Sequence, residues 1–145
     1  METAIKYEKS LQKFNSILVV EESSALRDMI FMILECKDYH ITTATSLDEA
    51  IEEMTTKDFN LVIADLNGGE FNEIAVIEKT KELNPKAMLI IIVADHDVIL
   101  PVEDLKVDVC DYLVKPFKLD ELLEGVSHCM GKVVSQRNKI DSSIQ

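Results

Sequence analysis

Three acids and one lysine directly follow apolar runs of this 145-residue sequence. Glu21 and Glu22 come after "SILVV", Asp65 ends "NLVIAD", and Lys115 follows "DYLV". Carboxylate oxygens are the preferred protein ligands of Mg²⁺, and a carboxylate beside such an ion can attack phosphorus to form an acyl phosphate. An ammonium group nearby can pair with the incoming phosphoryl group. The four residues serve this chemistry only if the fold brings them together.

The apolar runs alternate with segments of helical periodicity, which predicts the order β-α repeated five times. Strands that are apolar on both faces and joined by helices form a parallel sheet covered on both sides. We therefore expect a flavodoxin-like (βα)5 fold, a doubly wound five-stranded sheet with strand order 2-1-3-4-5. The predicted strands are 16–20, 39–44, 60–65, 87–93 and 111–114, and the helices are 25–35, 46–54, 73–83, a short one starting near Pro101, and 119–134.

In such a sheet, ligands bind at the carboxyl ends of the strands, where the four residues fall. Each residue alone has a simpler explanation, since acids at strand ends also cap helices and Lys-Pro is a common turn pair. Their occurrence together, at matching strand ends, favours a site.

The helical segments carry caps and apolar faces. Ser23 or Ser24 is expected to cap the first helix, and Ser46 with Glu49 predicts a capping box. The methionines at helical spacing are interpreted as core residues. The inner faces are predicted to hold Leu26, Met29, Ile30, Ile33 and Leu34 in the first helix, and Leu119, Leu122, Leu123, Val126 and Met130 in the last.

Composition limits the functional classes. The formal net charge of −12 argues against direct nucleic-acid binding. No apolar run is long enough to cross a membrane, and the N-terminus lacks a signal-peptide core, so we expect a cytoplasmic protein. Cys36, Cys110 and Cys129 show no CxxC spacing and are interpreted as reduced, packed thiols. We predict one domain over 16–134, an N-terminal extension over 1–15, and a tail or linker start over 135–145.

The sequence resembles the response-regulator receiver domains of two-component signalling over about residues 15–133. The matching stretches are "ILVVEES" followed by Arg27, "LVIADLN", and "DYLVKPF" followed by "LDELL". The spacings from Asp65 to Val93 and from Val93 to Lys115 are also typical of that family.

The resemblance implies a role for each matching position. Asp65 corresponds to the aspartate that accepts a phosphoryl group from a histidine kinase or phosphotransfer protein, and Lys115 to the phosphate-binding lysine before a cis-proline, Pro116. Tyr112 corresponds to the aromatic residue that turns inward on activation. The implied Mg²⁺ ligands are Glu21, Glu22, Asp65 and the backbone carbonyl of Asn67. The face formed by the fourth predicted helix, the fifth strand and the fifth predicted helix is implied to carry the output, through an output domain, a partner protein or a homodimer.

The sequence also departs from the family pattern. Glu22 replaces the usual aspartate, which adds a methylene at a metal that tolerates little geometric error. Val93 replaces a serine or threonine whose hydroxyl donates to the phosphoryl group. Gly68 and Gly69 replace the stiff loop after the acceptor, and Asp108-Val109 replaces Gly-Ala before the fifth strand.

Two principal hypotheses follow. In the first, the chain accepts a phosphoryl group on Asp65 and signals with altered switching, so its only enzymatic act is its own phosphorylation. In the second, it is a pseudo-receiver, which keeps the fold but acts as an interaction module without phosphorylation. An enzyme acting on a diffusible substrate is less favoured, because no phosphate-binding glycine loop follows the first strand and Asn67 stands where aspartate-dependent phosphatases have a second aspartate.

Overall fold

The computed structural model describes the backbone of residues 15–65, 73–94 and 109–143, and the side chains of all of these except 73–74 and 135–143. Several predictions concern residues outside these ranges. They are the N-terminal extension up to residue 14, Asn67, the Gly68-Gly69 loop, and the short helix near Pro101.

Five strands form one parallel sheet in the order β2-β1-β3-β4-β5, which confirms the predicted flavodoxin-like topology. Every residue of β3 and β4 is buried, because these central strands are covered on both faces. The strands are β1 (Ser16–Val20), β2 (His40–Ala44), β3 (Leu61–Asp65), β4 (Met88–Val93) and β5 (Val109–Val114).

Four helices are described: α1 (Ser24–Glu35), α2 (Leu47–Thr56), α3 (Glu73–Leu83) and α4 (Leu119–Ser143). None of the helices in the described ranges is long and apolar enough to span a membrane. Helix α4 continues to Ser143 although its predicted end was residue 134. The prediction ended where the apolar periodicity ends, but the polar segment that follows contains no glycine or proline to stop a helix.

The predicted caps are present, with one change. Ser23 Oγ accepts from the Leu26 N–H, and Ser46 Oγ accepts from the Glu49 N–H. The Glu49 carboxylate does not return to the cap residue itself. It accepts from the backbone N–H of Thr45 at 2.6 Å and from the Thr45 hydroxyl at 2.9 Å. The capping box is therefore displaced by one residue on its glutamate side.

The core lies in two layers, one on each face of the sheet. Helices α2 and α3 cover the first layer, which includes Val93, and helices α1 and α4 cover the second, which includes Ile90. Each layer takes alternate residues of the central strands, as the period-2 geometry of a strand requires.

Three predicted core residues are exposed, so those assignments are wrong. Met29 is 44% exposed and Met32 65% exposed, because α1 buries Ile30 and Leu34 and turns its methionines away from that stripe. Leu119 is 49% exposed because it starts α4, one turn before the helix first packs through Leu122.

The interpretation of all three cysteines as reduced, packed thiols is also wrong. Cys110 of β5 and Cys129 of α4 form a disulfide, with their Cα atoms 6.0 Å apart. The two residues are 19 apart in sequence, and only the packing of α4 on β5 brings them together. Cys36 is a free thiol, but it is exposed.

Candidate functional site

The carboxyl end of β3 holds the central residue of the site. Asp65 is the last residue of that strand and is 3% exposed. Its register partner on β4 is Ile92. Burying an unpaired charge in such a place is strongly unfavourable, and Lys115 supplies the compensating charge. The Lys115 Nζ forms an ion pair with Asp65 Oδ2.

Lys115 is positioned by the end of β5. Its backbone N–H donates to the Val93 carbonyl at 2.9 Å, which extends the ladder between β4 and β5 by one bond. The peptide bond to Pro116 is cis, as the family resemblance implied. The lysine side chain is about three-quarters buried and the aspartate almost fully buried, so water screens this pair only weakly.

Glu21 joins Asp65 from the end of β1. It is 4% exposed, and its backbone N–H donates to the Ala44 carbonyl at 2.9 Å, which fixes the chain where β1 ends. One carboxylate oxygen, Oε1, accepts from the Ser23 N–H at 2.8 Å. The other, Oε2, is buried, and no donor within the described ranges reaches it when both acids are ionised.

The environment of Glu21 favours its protonated form. Burial is the largest cause, and hydrogen bonding to the Asp65 carboxyl adds to it, so the pKa of Glu21 rises to about 7. The negative charge of Asp65 acts in the same direction, while the Ser23 N–H and the Lys115 charge oppose it. A proton on Glu21 lets the two carboxyls share a hydrogen bond, which two ionised carboxylates cannot form.

Glu22 lies differently from Glu21. Its side chain is exposed. The Arg27 guanidinium donates to the backbone carbonyls of Glu21 at 3.1 Å and Glu22 at 3.4 Å, and so holds the turn between β1 and α1. The sequence motif contains Arg27 but does not indicate its role. The two contacts show that Arg27 positions the turn that carries Glu21 and Glu22.

The predicted Mg²⁺ ligands are therefore only partly assembled. Glu21 and Asp65 are in contact, Glu22 is on the solvent side, and Asn67 is outside the described residues. Within the described ranges, no three acidic, histidine or cysteine side chains are grouped to hold a metal. The two facing carboxylates and the buried Glu21 Oε2 nevertheless suit a hard cation, which would supply the positive charge that this oxygen lacks.

The two predicted switch positions lie on neighbouring strands. Val93 is 4% exposed and packs in the first core layer, so its side chain is a structural part of the core. Tyr112 is paired with Ile91 in the sheet register and is 41% exposed. The aromatic ring is thus in an outward position.

An open groove that the sequence did not reveal borders the site. Its lining is almost entirely apolar: Leu26, Met29, Pro116 and Phe117, with Lys115 as the charged member. Helix α1 forms one wall and the connection between β5 and α4 the other. The sequence gives no signal for this groove, because the α1 periodicity assigns Met29 to the core.

A doubly wound parallel sheet with paired carboxyls and a lysine at its carboxyl rim belongs to the class of α/β folds whose ligand sites lie at this edge. The family profile of the response regulator receiver domain matches residues 17–127. This chain therefore belongs to the receiver domain family of two-component response regulators, as the sequence motifs indicated.

Individual relatives agree with this assignment. The transcriptional regulatory protein ZraR of Salmonella typhimurium is 33% identical over 114 residues, which are 79% of this chain and 26% of ZraR. The regulator DltR of Streptococcus agalactiae is 28% identical over 76% of this chain and 49% of its own length. The chain thus spans between a quarter and a half of the regulators to which it is similar.

Solved structures share the fold. A CheY-like receiver domain protein from Methanospirillum hungatei superposes with a TM-score of 0.76 over 84% of this chain and 98% of that one, at 23% identity. A response regulator from Thermotoga maritima superposes with a TM-score of 0.68 at 26% identity, over 80% of this chain and 97% of that one.

The raised pKa of Glu21 predicts a pH-dependent stability. The unfolded state loses this proton near pH 4.5 and the folded state near pH 7, so the free energy of unfolding falls as pH rises between these values. In metal-free protein, Glu21→Gln should therefore stabilise the fold by about 3 kcal/mol at pH 8 and change it little at pH 4.5. Urea unfolding at both pH values measures the difference. Glu22→Gln is the matched control, since it removes an exposed carboxylate from the adjacent position. An equal effect of Glu21→Gln at both pH values would contradict the assignment.

Proposed function

We propose that this receiver domain accepts a phosphoryl group on Asp65 from a phosphohistidine donor. The observation that carries the proposal is the buried Asp65 carboxylate, which ends β3 in an ion pair with Lys115 and in contact with Glu21. In the reaction, an Asp65 carboxylate oxygen bonds to phosphorus as the P–N bond to the donor imidazole breaks. The imidazole leaves with the electron pair of that bond and takes up a proton.

The residues of the site would divide the work. Lys115 would transfer its ion pair from the Asp65 oxygen to the incoming phosphoryl oxygens and so offset their charge. Glu21, Glu22, Asp65 and the carbonyl of Asn67 would hold Mg²⁺, which supplies charge neutralisation for the phosphoryl group. Arg27 would keep Glu21 and Glu22 in place through the turn it holds.

The donor in this proposal is a protein, either a histidine kinase or a phosphotransfer protein. The apolar groove beside Lys115 supports a macromolecular donor, because a small phosphodonor has no use for an exposed methionine beside a half-buried phenylalanine next to the site. A donor that covers the groove would also exclude water from Asp65 during transfer.

The signal would leave through the segment 95–108, β5 and α4, toward an output domain, a partner protein or a second copy of the chain. Switching would be weakened, because Val93 offers no hydroxyl donor to a phosphoryl oxygen. Such a bond to a charged group contributes about 1.5–3 kcal/mol. The position of Tyr112 would then depend less on phosphorylation than in a receiver with a hydroxyl at 93.

The alternative is a pseudo-receiver that binds partners without phosphorylation. It is favoured by the exposed Glu22 side chain and by the fully packed Val93, both of which leave the site less suited to a phosphorylated state. The two functions differ in whether Asp65 reacts.

Acetyl phosphate tests that difference directly. Incubation with this small phosphodonor and Mg²⁺ should add one phosphoryl group, detectable by intact-mass spectrometry and abolished by chelation of the metal. Asp65→Asn should prevent the gain, while Asp58→Asn, which changes an exposed aspartate before β3, should not. The absence of any adduct on the unmodified chain would favour the pseudo-receiver.

Val93→Thr should restore coupling between the site and Tyr112. The variant should be about 1–3 kcal/mol less stable without phosphorylation, since its hydroxyl is then buried. With a phosphoryl mimic such as beryllofluoride, its Tyr112 ring signals in NMR spectra should shift more than those of the unmodified chain. Val93→Ala loosens the same packing without adding a donor and is the control. Equal Tyr112 shifts in all three proteins would refute the weakened switch.

Met29→Glu should distinguish a protein donor from a small one. The test uses a histidine kinase that phosphorylates the unmodified chain. A charge in the groove should slow phosphoryl transfer from that kinase by about tenfold or more. The rate with acetyl phosphate should be unchanged. Met32→Glu places the same charge on the same helix outside the groove and should alter neither rate. Equal slowing by both variants, or slowing with acetyl phosphate, would show that the groove is not a donor surface.

A further inference from the structure

The register of β5 contains an irregularity at Cys110. Leu89 of β4 pairs with Val109, and the next residue, Ile90, pairs with Asp111, so Cys110 is an extra residue in the strand. A bulge of this kind redirects side chains and locally increases the twist. In consequence both Cys110 and Asp111 point toward α4, although consecutive residues of a regular strand point to opposite faces.

Helix α4 meets these two residues with positions one turn apart. Cys110 is bonded to Cys129, with a Cα separation of 6.0 Å that is ordinary for such pairs. Asp111 lies against Gly125, where an added Cβ would stand 2.9 Å from the Asp111 Oδ2. The lack of a side chain at Gly125 thus allows α4 to approach the bulge, and the bulge directs the sulfur of Cys110 to the helix.

The two sulfurs differ in access. Cys129 is completely buried in the second core layer, whereas Cys110 is only partly buried at its edge. A reagent from solution can therefore reach Cys110 first, and Cys129 is held where it can attack Cys110 from within. This is the arrangement that thiol–disulfide exchange needs.

We propose that Cys110 and Cys129 form a reversible redox site at which a low-molecular-weight disulfide, such as glutathione disulfide, locks α4 to β5. The Cys110 thiolate attacks one sulfur of the small disulfide, forming a mixed disulfide and releasing one small thiol. The Cys129 thiolate then attacks the Cys110 sulfur and releases the second. Each cysteine loses one proton, and two electrons pass from the protein to the small disulfide. Excess small thiol reverses both steps.

The bond matters because of where it lies. It joins β5, which carries Tyr112, to a helix that continues from Cys129 to Ser143, roughly 20 Å at 1.5 Å per residue. Two reduced thiols cannot remain at bonding separation, so reduction removes the covalent link between the bulge and the middle of this helix. The redox site acts on the helix whether or not Asp65 is phosphorylated, and so the inference is independent of the proposed function.

One chain in two redox states tests the proposal. Cys36→Ser first removes the exposed free thiol. The protein is then equilibrated with mixtures of reduced and oxidised glutathione, and its thiols are counted by alkylation and mass spectrometry. The expected result is a change from two alkylated cysteines to none as the mixture becomes oxidising. Hydrogen exchange of the α4 and β5 amides should be on the order of 10- to 100-fold slower in the oxidised form, with β1 and β3 much less affected.

A second variant, Cys110→Ala in the same background, cannot form the bond, and its α4 amides should exchange at one rate in all mixtures. Three results would overturn the proposal. They are two free thiols at every glutathione ratio, a bond that dithiothreitol does not reduce in the folded protein, and α4 exchange that is the same in both redox states. None of them depends on whether the alanine variant folds.

Discussion

The contact between the Asp65 and Glu21 carboxyls is the constraint on which the rest of the site depends. The sheet places both acids at its carboxyl edge with almost no exposure, and two buried negative charges in contact are unfavourable. Lys115 compensates the charge of Asp65, and a proton on Glu21 removes the second charge. Under the proposed function both are reversible, since a cation would replace the proton and a phosphoryl group would take over the lysine. Binding of these charged groups would therefore relieve the unfavourable contact between the two acids.

The two ends of the sheet differ in how completely their buried polar side chains are hydrogen-bonded. At the amino end, the buried amide of Asn84 accepts from the Phe59 N–H at 2.7 Å and donates to the Met54 carbonyl at 3.0 Å. Its polar atoms are used in joining α2, β3 and α3. At the carboxyl end, Glu21 is equally buried, but one of its oxygens has no hydrogen-bond partner within the described ranges unless it shares a proton with Asp65. Polar groups that stabilise a fold are normally satisfied within it, and one left unsatisfied needs another explanation. Asn84 therefore joins elements of the fold, whereas the fold does not fully satisfy the buried carboxyl of Glu21.

The sequence was sufficient to predict the sheet and the placement of Glu21, Asp65 and Lys115 at its carboxyl edge, because both depend on local signals. Strands such as "MLIIIV" are apolar on both faces, and charged residues follow several of the strands at the carboxyl edge. Prediction failed where the outcome depends on how elements pack. Met29 fits the α1 periodicity and yet borders a groove, and Cys110 meets Cys129 only because a bulge redirects one strand residue. The end of α4 was missed because no local signal stops the helix.

Position 93 shows that core and site share residues at this edge. The Val93 side chain fills the first core layer while its carbonyl accepts from the Lys115 N–H, so the same residue packs the interior and sets the lysine. A hydroxyl at that position would be unsatisfied in the core whenever no phosphoryl group is bound, and valine removes that cost. It also removes the donor that would report phosphorylation to the neighbouring strand. Under the proposed function, any control of β5 and α4 that does not pass through position 93 therefore gains relative weight.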